Sequence, residues 1–309
     1  MQTPILLIVF NRPGPTAEVM AAIARARPAR LYVAADGPRP GRDGEAERCA
    51  AARTLATTVD WPCEVVTLLR TENLGCKLAV SSAISWFFEH EPEGIILEDD
   101  CVPAPSFFPY CCELLEKYRD APQVMVISGD NPRPDLPCAT SYTFSKYVHI
   151  WGWASWRRAW AHYDLAMTSW PKLRDTGWLE TFADGQPGFA LDWQKTFDET
   201  HAGRVNTWDY QWVFSVWAAG GVSCYPAANL VSNVGFGPDG THTCNPGDPN
   251  ANRPVHDLDL PLRHPATLAR DTALDAARVN YRPPTLGRRL RASPLGRSYL
   301  IARRALFGV

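Results

Sequence analysis

The sequence predicts an α/β fold in which a mostly parallel sheet is flanked by helices. Its first 130 residues alternate short apolar runs with amphipathic stretches, as successive β–α–β units do. The apolar runs predict strands at 5–10, 31–35, 64–69, 94–97 and 124–128. The intervening stretches predict helices near 16–27, 43–57, 77–89 and 106–119.

The second half of the chain differs in its Trp content and in its mixture of helix and strand patterns. Ten of the twelve Trp residues fall between Trp151 and Trp217. Hydrophobic periodicity predicts helices near 154–161, 189–201 and 208–219 and short strands at 222–225 and 229–233. Residues 235–254 are rich in Gly, Pro, Asn and Asp and predict a long loop, the kind of segment that often covers an active site.

Composition narrows the function. The net charge of −2 disfavours nucleic acid binding, which usually requires a basic domain. The nine Cys residues show no CxxC pair and no zinc spacing, so we expect reduced thiols in a cytoplasmic protein. The apolar start lacks the basic leader of a signal peptide. No run reaches the roughly 18 apolar residues that a membrane-spanning helix needs.

The most informative motif is the acidic run Glu98-Asp99-Asp100, which directly follows the predicted strand 94–97. The carboxyl ends of parallel strands form the edge where α/β proteins bind ligands. Three adjacent carboxylates repel one another unless a cation neutralises them. Mg²⁺ or Mn²⁺ suits oxygen ligands and usually also holds substrate phosphates. The alternative is a solvated acidic turn.

Two other strand ends carry residues suited to a nucleotide. Arg12 follows the first strand and can meet a phosphate, and Asp36 follows the second and can accept hydrogen bonds from a base or ribose. The alternatives are a surface Arg and a turn Asp. A GxGxxG fingerprint and a GxxxxGK[ST] phosphate loop are both missing from the sequence, which disfavours a nicotinamide cofactor and a P-loop.

The third strand is followed by a helix start that contains Asn73, Gly75 and Lys77. A Gly lets the backbone approach a ligand, helix N-termini favour anions, and Lys77 adds a positive charge. An ordinary Asn-containing helix start is the alternative.

These features occur in an order that resembles the GT-A-type nucleotide-sugar glycosyltransferases, and in particular the N-acetylglucosaminyltransferase I family and its bacterial relatives. That family's Glu-Asp-Asp motif is followed by Ala-Pro and an aromatic pair. This chain has Glu98-Asp99-Asp100, then Ala104-Pro105, then Phe107-Phe108. The resemblance covers about residues 4–245 and implies a GT-A-like, Rossmann-like fold.

The resemblance continues into the Trp-rich half. Trp151-Gly152-Trp153 looks like the family's segment beside the acceptor. Trp208-Asp209-Tyr210-Gln211-Trp212 is similar to a stretch whose acidic residue is the family's catalytic base, although here one extra residue precedes the second Trp. The resemblance thus implies Asp209 as the base and Trp151, Trp153, Trp208 and Trp212 as acceptor-binding residues. Core packing is the alternative for each Trp.

The family's closing loop over the donor resembles residues 235–242. His242 then becomes a candidate metal or phosphate ligand, or a plain loop residue. In this interpretation Asp100 holds Mn²⁺ or Mg²⁺, and Glu98 and Asp99 position ribose or metal-bound water. Residues 1–281 form one catalytic domain, in which 1–130 bind the nucleotide sugar and 131–281 bind the acceptor.

The implied activity is an inverting, metal-dependent glycosyltransferase in cell-surface polysaccharide synthesis. Its donor is expected to be a UDP-sugar, with UDP-GlcNAc as one candidate, and its acceptor a glycan or lipid-linked glycan. One alternative is a nucleotidyltransferase that makes the nucleotide sugar, although Asn11-Arg12-Pro13-Gly14-Pro15 is poor in the Gly that such enzymes carry there. Another is a non-catalytic carbohydrate-binding or membrane-scaffold protein, which leaves the triple carboxylate unexplained.

The last segment, residues 282–309, is basic and amphipathic. It has seven Arg, no acidic residue, and interleaved Leu, Ile and Phe. Such a helix either binds the anionic surface of the inner membrane or packs on the catalytic domain with its Arg solvated.

Overall fold

A computed structural model of the chain describes residues 1–237, 245 and 247–279. His242, the basic tail 282–309 and part of the predicted loop 235–254 lie outside the described residues. The chain divides into two compact units. Of the described residues, the larger comprises 1–167 and 206–271, and the smaller comprises 168–205 and 272–279.

An eight-stranded sheet organises the larger unit. In chain order its strands are β1 Ile5–Val9, β2 Arg30–Ala35, β3 Glu64–Leu69, β4 Glu93–Glu98, β6 Val124–Ser128, β7 Tyr142–Ser145, β8 Trp153–Trp156 and β9 Val222–Pro226. The spatial order is β3-β2-β1-β4-β8-β6-β9-β7. Strands β1 to β4 are mutually parallel, and β6 is parallel to β9. Strands β8 and β7 run antiparallel to their neighbours.

A two-stranded ribbon stands beside this sheet. It pairs β5, Cys101–Pro103, with β10, Val231–Asn233, in antiparallel register. Because β5 begins directly after Asp100, this ribbon brings the residues that follow β10 back to the acidic run. The backbone N–H of Val234 donates to the carbonyl of Asp100 at 2.9 Å.

The helices of the larger unit are α1 Pro13–Ala26, α2 Glu45–Thr57, α3 Gly75–His90, α4 Phe107–Lys117, α5 Arg157–Trp160 and α8 Asp209–Ala218. Side chains alternate across the sheet. Ile5, Leu7 and Val9 of β1 join one core cluster that also contains residues of α1 and α4. The opposite face packs on α3, where Tyr32 meets the ring of Phe87 with centroids 5.1 Å apart. The strands are therefore covered on both faces, which explains their continuous apolar runs.

The smaller unit is helical. It contains α6 Trp170–Leu173, a 3₁₀ turn Leu179–Phe182, α7 Phe189–His201 and α9 Thr272–Arg278. Trp170 packs edge-on against Phe197, with ring centroids 5.2 Å apart. Arg174 forms an ion pair with Asp198 at 2.7 Å. In neither unit does a helix of the described residues combine the length and apolarity needed to cross a membrane.

The predicted α/β fold with its mostly parallel sheet is confirmed, and the strands of the first half end within one residue or so of their predicted bounds. The helix predicted near 154–161 is wrong in its first half. Residues Trp153–Trp156 form β8, which is inserted between β4 and β6 and buried throughout. Only Arg157–Trp160 is helical. A short strand buried on both faces lacks the alternating pattern that separates strand from helix.

Candidate active site

A cleft opens at the carboxyl edge of the parallel strands, beside the point where the strand order reverses between β1 and β4. Ligands in α/β proteins bind at such a point. The cleft has a volume of about 250 Å³. Its polar wall comprises Arg12, Asp36, Arg39, Arg70, Asn73, Cys76, Glu98, Asp99 and Asn206. Six predicted donor-binding residues, Gly75 among them, therefore line one cavity; Lys77 does not.

The acidic run turns the chain from β4 into β5. Glu98 ends β4, and Asp99 and Asp100 form the turn. The guanidinium of Arg12 pairs with both aspartates: it contacts Asp99 Oδ1 through Nη2, and its Nη1 lies 3.0 Å from Asp100 Oδ2. The side chains of Asp99 and Asp100 are only 4% and 10% exposed. A fixed cation therefore sits among the carboxylates.

Burial and mutual repulsion disfavour negative charge on this run. Burial, followed by the charges of Asp100 and Asp99, raises the pKa of Glu98 to about 8. Burial raises the pKa of Asp99 to about 6, although Arg12 opposes the rise. The same carboxylates hold the pKa of Arg12 above its usual value despite the opposing effect of burial. A group that brings further positive charge is thus favoured here.

Asp36 follows β2 and organises the start of α3. Its carboxylate accepts hydrogen bonds from the backbone N–H groups of Gly37, Leu74 and Gly75, each at 3.0 Å. The N–H groups of Leu74 and Gly75 belong to the N-terminus of α3, where backbone donors lack helical partners and a carboxylate is stabilised. The structure thus gives Asp36 an anchoring task, and its predicted contact with a base or ribose stays a prediction.

Asn73 and Gly75 hold the neighbouring loops together. The amide of Asn73 donates to the carbonyl of Gly37 at 2.8 Å. A Cβ on Gly37 would lie 2.4 Å from the backbone of Glu72, so the loops after β2 and β3 approach too closely for any side chain there. Gly75 has φ +75°, a value that favours Gly. Lys77 is half-buried on the first turn of α3.

Sequence reasoning missed four polar residues of the cleft: Arg39, Arg70, Cys76 and Asn206. Arg39 lies over the ring of Phe10 at 5.4 Å and forms a forked ion pair with Glu45. Asn206 approaches Gly75: a Cβ added there would be 3.8 Å from its amide nitrogen. Arg39 follows β2 in the same loop as Asp36, so its position at a strand end could have predicted its place in the cleft. For Asn206 the only signal was its position shortly before Asp209 in the chain.

The segment after β10 closes over the acidic run. A Cβ on Gly235 would lie 2.0 Å from Asp100 Oδ2 and 2.6 Å from Arg12 Nη1, so only Gly fits. A second cavity of about 330 Å³ lies between this segment and the start of α1, and Arg12 lines both cavities. Arg12 therefore sits at the junction of two open volumes.

Asp209 begins α8. Its Oδ1 accepts hydrogen bonds from the hydroxyl of Thr207 and, at 2.9 Å, from the N–H of Tyr210. Its charge contributes to the raised pKa of both Cys76 and Glu98. The Asp209 carboxylate thus acts electrostatically on two residues of the cleft wall. Its role as base stays a prediction.

The four predicted acceptor-binding Trp residues divide into two groups. Trp153, Trp208 and Trp212 are each 2% exposed or less and pack together; the rings of Trp153 and Trp208 stack with centroids 5.9 Å apart. Because their faces are covered by other rings, their burial argues against direct stacking on a sugar. Trp151 is half-buried, and its ring meets Phe236 edge-on at 5.7 Å.

The metal prediction fits one type of site. Among the described residues no group of three or more His, Cys, Asp or Glu is arranged to hold an ion. Mg²⁺ and Mn²⁺ sites that take one or two protein carboxylates and complete the shell with substrate phosphates and water need no such group. Asp100 and Asp99 match that smaller set. His242 lies outside the described residues.

Comparisons with known proteins give distant likeness only. No family model matches the sequence, and no curated protein matches it. HddC from Yersinia pseudotuberculosis aligns with a TM-score of 0.32 and 9% identity over 51% of this chain and 78% of its own. Mouse xyloside xylosyltransferase 1, in its apo form, aligns with a TM-score of 0.32 and 13% identity over 71% of this chain and 82% of its own. The function proposed below rests on the geometry of the site.

Proposed function

We propose that the chain is an inverting, metal-dependent glycosyltransferase that takes its sugar from a nucleoside diphosphate sugar, with UDP as the nucleotide. The observation that carries this proposal is the shared cleft of Arg12, Asp36, Asn73, Glu98 and Asp99 at the carboxyl edge of the sheet. Cations, carboxylates and amides meet there in the combination that a diphosphate and a ribose require.

The cleft divides the donor's recognition between its walls. Asn73 and the loops after β2 and β3 face the nucleoside. Glu98 and Asp99 offer acceptors to ribose or sugar hydroxyls, and a Glu98 that keeps its proton can also donate. Arg12 provides a positive charge for the phosphates. The residues that would hold Mn²⁺ or Mg²⁺ are Asp100 and Asp99, and the ion would neutralise charge on the leaving diphosphate.

The chain's own contribution to the chemical step is proton transfer. The acceptor oxygen attacks the anomeric carbon opposite the diphosphate, a new C–O bond forms, and the bond to the phosphate oxygen breaks. Asp209 takes the acceptor's hydroxyl proton as general base. Its bonds to Thr207 and Tyr210 engage Oδ1, which leaves Oδ2 for this task. The acceptor is a glycan or a lipid-linked glycan.

Calorimetric titration with UDP, with and without Mn²⁺, tests the donor half. We expect Mn²⁺-dependent binding that Asp100→Ala abolishes while circular dichroism stays native. Asp135→Ala is the matched control, because Asp135 is an exposed carboxylate paired with Arg133 away from the cleft. A screen of nucleotide sugars for slow hydrolysis then identifies the sugar. If Asp100→Ala binds UDP with the same Mn²⁺ dependence as the unaltered chain, Asp100 is not the metal residue.

A further inference from the structure

His149 and Asp130 form a dyad outside the residues used so far. Nδ1 of His149 lies 2.7 Å from Oδ2 of Asp130. The Asp130 side chain is 4% exposed, and its other oxygen, Oδ1, is buried with no hydrogen-bond partner. A carboxylate only accepts, so Nδ1 carries a proton; in the neutral tautomer that this contact selects, Nε2 is the acceptor.

Asp130 and Tyr225 hold the imidazole of His149, and Ser128 holds its backbone. The backbone of His149 exchanges two hydrogen bonds with the hydroxyl of Ser128, at 3.0 and 3.2 Å. Its ring meets Tyr225 edge-on, with centroids 5.1 Å apart. Its side chain remains 24% exposed. Nε2 makes no hydrogen bond with any residue in the described part of the chain. A ring this firmly oriented, with one nitrogen open, is built to receive a donor.

Sheet register relates the dyad to the cleft. Trp153 of β8 is paired with Ile96 of β4 on one side and with Ser128 of β6 on the other. Neighbouring strands lie about 4.8 Å apart, so the ends of β4 and β6 are about 10 Å apart. Asp130 lies two residues after Ser128, the last residue of β6, just as Glu98 lies two residues after Ile96. Both carboxylates therefore lie at one edge of the sheet.

Trp151 lies between these two strand ends, because it precedes the β8 residue that pairs with both of them. It is also two residues from His149. Its ring contacts Phe236, in the segment that closes over Asp100. Trp151 and the Asp130–His149 dyad thus both belong to the chain beside the carboxyl ends of β4 and β6, on the side of the cleft away from β1 to β3.

We propose that His149, oriented by Asp130, is a positioning residue of the acceptor subsite: Nε2 accepts a hydrogen bond from a hydroxyl of the acceptor sugar while Trp151 supports the sugar ring. The attacking hydroxyl of the same acceptor gives its proton to Asp209, as proposed above. Stacking on an aromatic face together with a directed acceptor is a combination that suits a pyranose. This inference rests on the proposed function.

Nitrogen NMR of histidine-labelled full-length protein tests the subsite directly. The probes are the methyl glycosides of glucose, galactose, mannose and N-acetylglucosamine, added with and without UDP. We expect at least one glycoside to shift the Nε2 resonance of His149. His149→Gln identifies the resonance and should weaken glycoside binding about tenfold, the effect of one lost hydrogen bond. His162→Gln, at an exposed histidine, is the matched control.

Asp130→Asn separates positioning from mere packing. The Asn amide can donate to Nδ1, which moves the ring proton to Nε2 and removes the acceptor. The Nδ1 resonance should then take the chemical shift of an unprotonated nitrogen and the Nε2 resonance that of a protonated one, and glycoside affinity should fall. UDP binding should be unchanged in both variants. If none of the four glycosides shifts His149, or if His149→Gln binds them as well as His162→Gln does, the subsite does not exist. Failure of UDP to bind would instead overturn the transferase proposal. The two outcomes can be told apart, because the glycoside-induced shift of His149 is measured without UDP as well as with it.

Discussion

Arg12 Nη1 lies 3.0 Å from Asp100 Oδ2, and the same guanidinium also pairs with Asp99. One cation therefore serves two carboxylates that stand next to each other in the chain. The three side chains are at most 17% exposed, so water screens their charges weakly. Removal of the cation leaves two partly buried negative charges that repel each other.

Arg12→Gln should consequently destabilise the fold by about 3 kcal/mol, the usual cost of breaking a buried ion pair on one side. Mn²⁺ should restore much of this stability, because the ion replaces the lost charge. Thermal unfolding in EDTA and in Mn²⁺ measures both effects. Arg133→Gln is the control: its pair with Asp135 is exposed, and surface pairs contribute about 0–1 kcal/mol. Equal melting temperatures for Arg12→Gln with EDTA and with Mn²⁺ would contradict the prediction.

Asp209→Asn should reduce transfer by about 10²–10⁴-fold, the typical effect of losing a general base. UDP and Mn²⁺ binding should be retained, because Asn keeps the shape and the hydrogen bond from Tyr210. Thr207→Val should cost less, since it removes one of the two hydrogen bonds that orient the carboxylate and leaves the carboxylate itself in place. Transfer rates with the identified donor measure both variants. A rate above a tenth of normal in Asp209→Asn would assign the base elsewhere.

Gly235→Ala should impair the site, whereas Gly237→Ala should not. The new methyl at 235 would overlap Asp100 and Arg12, while at 237 no atom of the described residues lies within 4 Å of an added Cβ. Overpacking typically costs about 1–3 kcal/mol, so we expect roughly a tenfold or greater loss of UDP affinity in the first variant. Calorimetry on the pair of variants checks this. Identical affinities would mean that the segment after β10 moves freely away from Asp100.

Glu45→Gln should remove a contribution to stability that depends on pH in a defined window. Chiefly through its hydrogen bond with Arg39, the pKa of Glu45 falls from 4.5 to about 2. Because the folded-state pKa is lowered, this contribution is complete above pH 4.5 and is lost as pH falls toward 2. The variant should therefore be less stable at neutral pH, and the difference should shrink in that window.

Glu47→Gln provides the comparison for this experiment, because Glu47 is an exposed residue of the same helical turn. Denaturant unfolding at several pH values measures the two variants against the unaltered chain. The Glu47 variant should track it at every pH. If the unfolding free energy of Glu45→Gln differed from that of the unaltered chain by the same amount from neutral pH down to pH 2, the ion pair with Arg39 would not be the cause.

The sequence predicted which residues meet in the cleft, because strand order settles their positions. Once β1 to β4 are parallel, the residues at their carboxyl ends must share one edge, and Arg12, Asp36 and Glu98 do so. The surroundings of Asp130 were harder to predict. The contact between Asp130 and His149 depends on β8 entering the sheet beside β6, and the sequence pattern there predicted a helix.

Aromatic residues mark a second limit of sequence reasoning. Trp151 and Trp153 are two residues apart in the same motif, yet one is half-buried and the other is 1% exposed. The same indole ring can stack on a sugar or pack in the hydrophobic core, so the residue type does not distinguish the two roles. Only the neighbouring rings of Trp160, Trp208 and Trp212, brought in by other elements, decide between them.

After β10 the chain returns to pair with residues at and before that strand. The N–H of Asn252 donates to the carbonyl of Asn233 at 3.0 Å, and that of His256 to the carbonyl of Asn229 at 2.8 Å. These two bonds hold the ends of the span beside each other, whatever the number of residues between them. Loop-closure entropy grows slowly with length, by about 0.6 kcal/mol for a doubling. Residues inserted into this span should therefore cost the sheet little stability, so the chain beside the site can change in length while its ends stay in place.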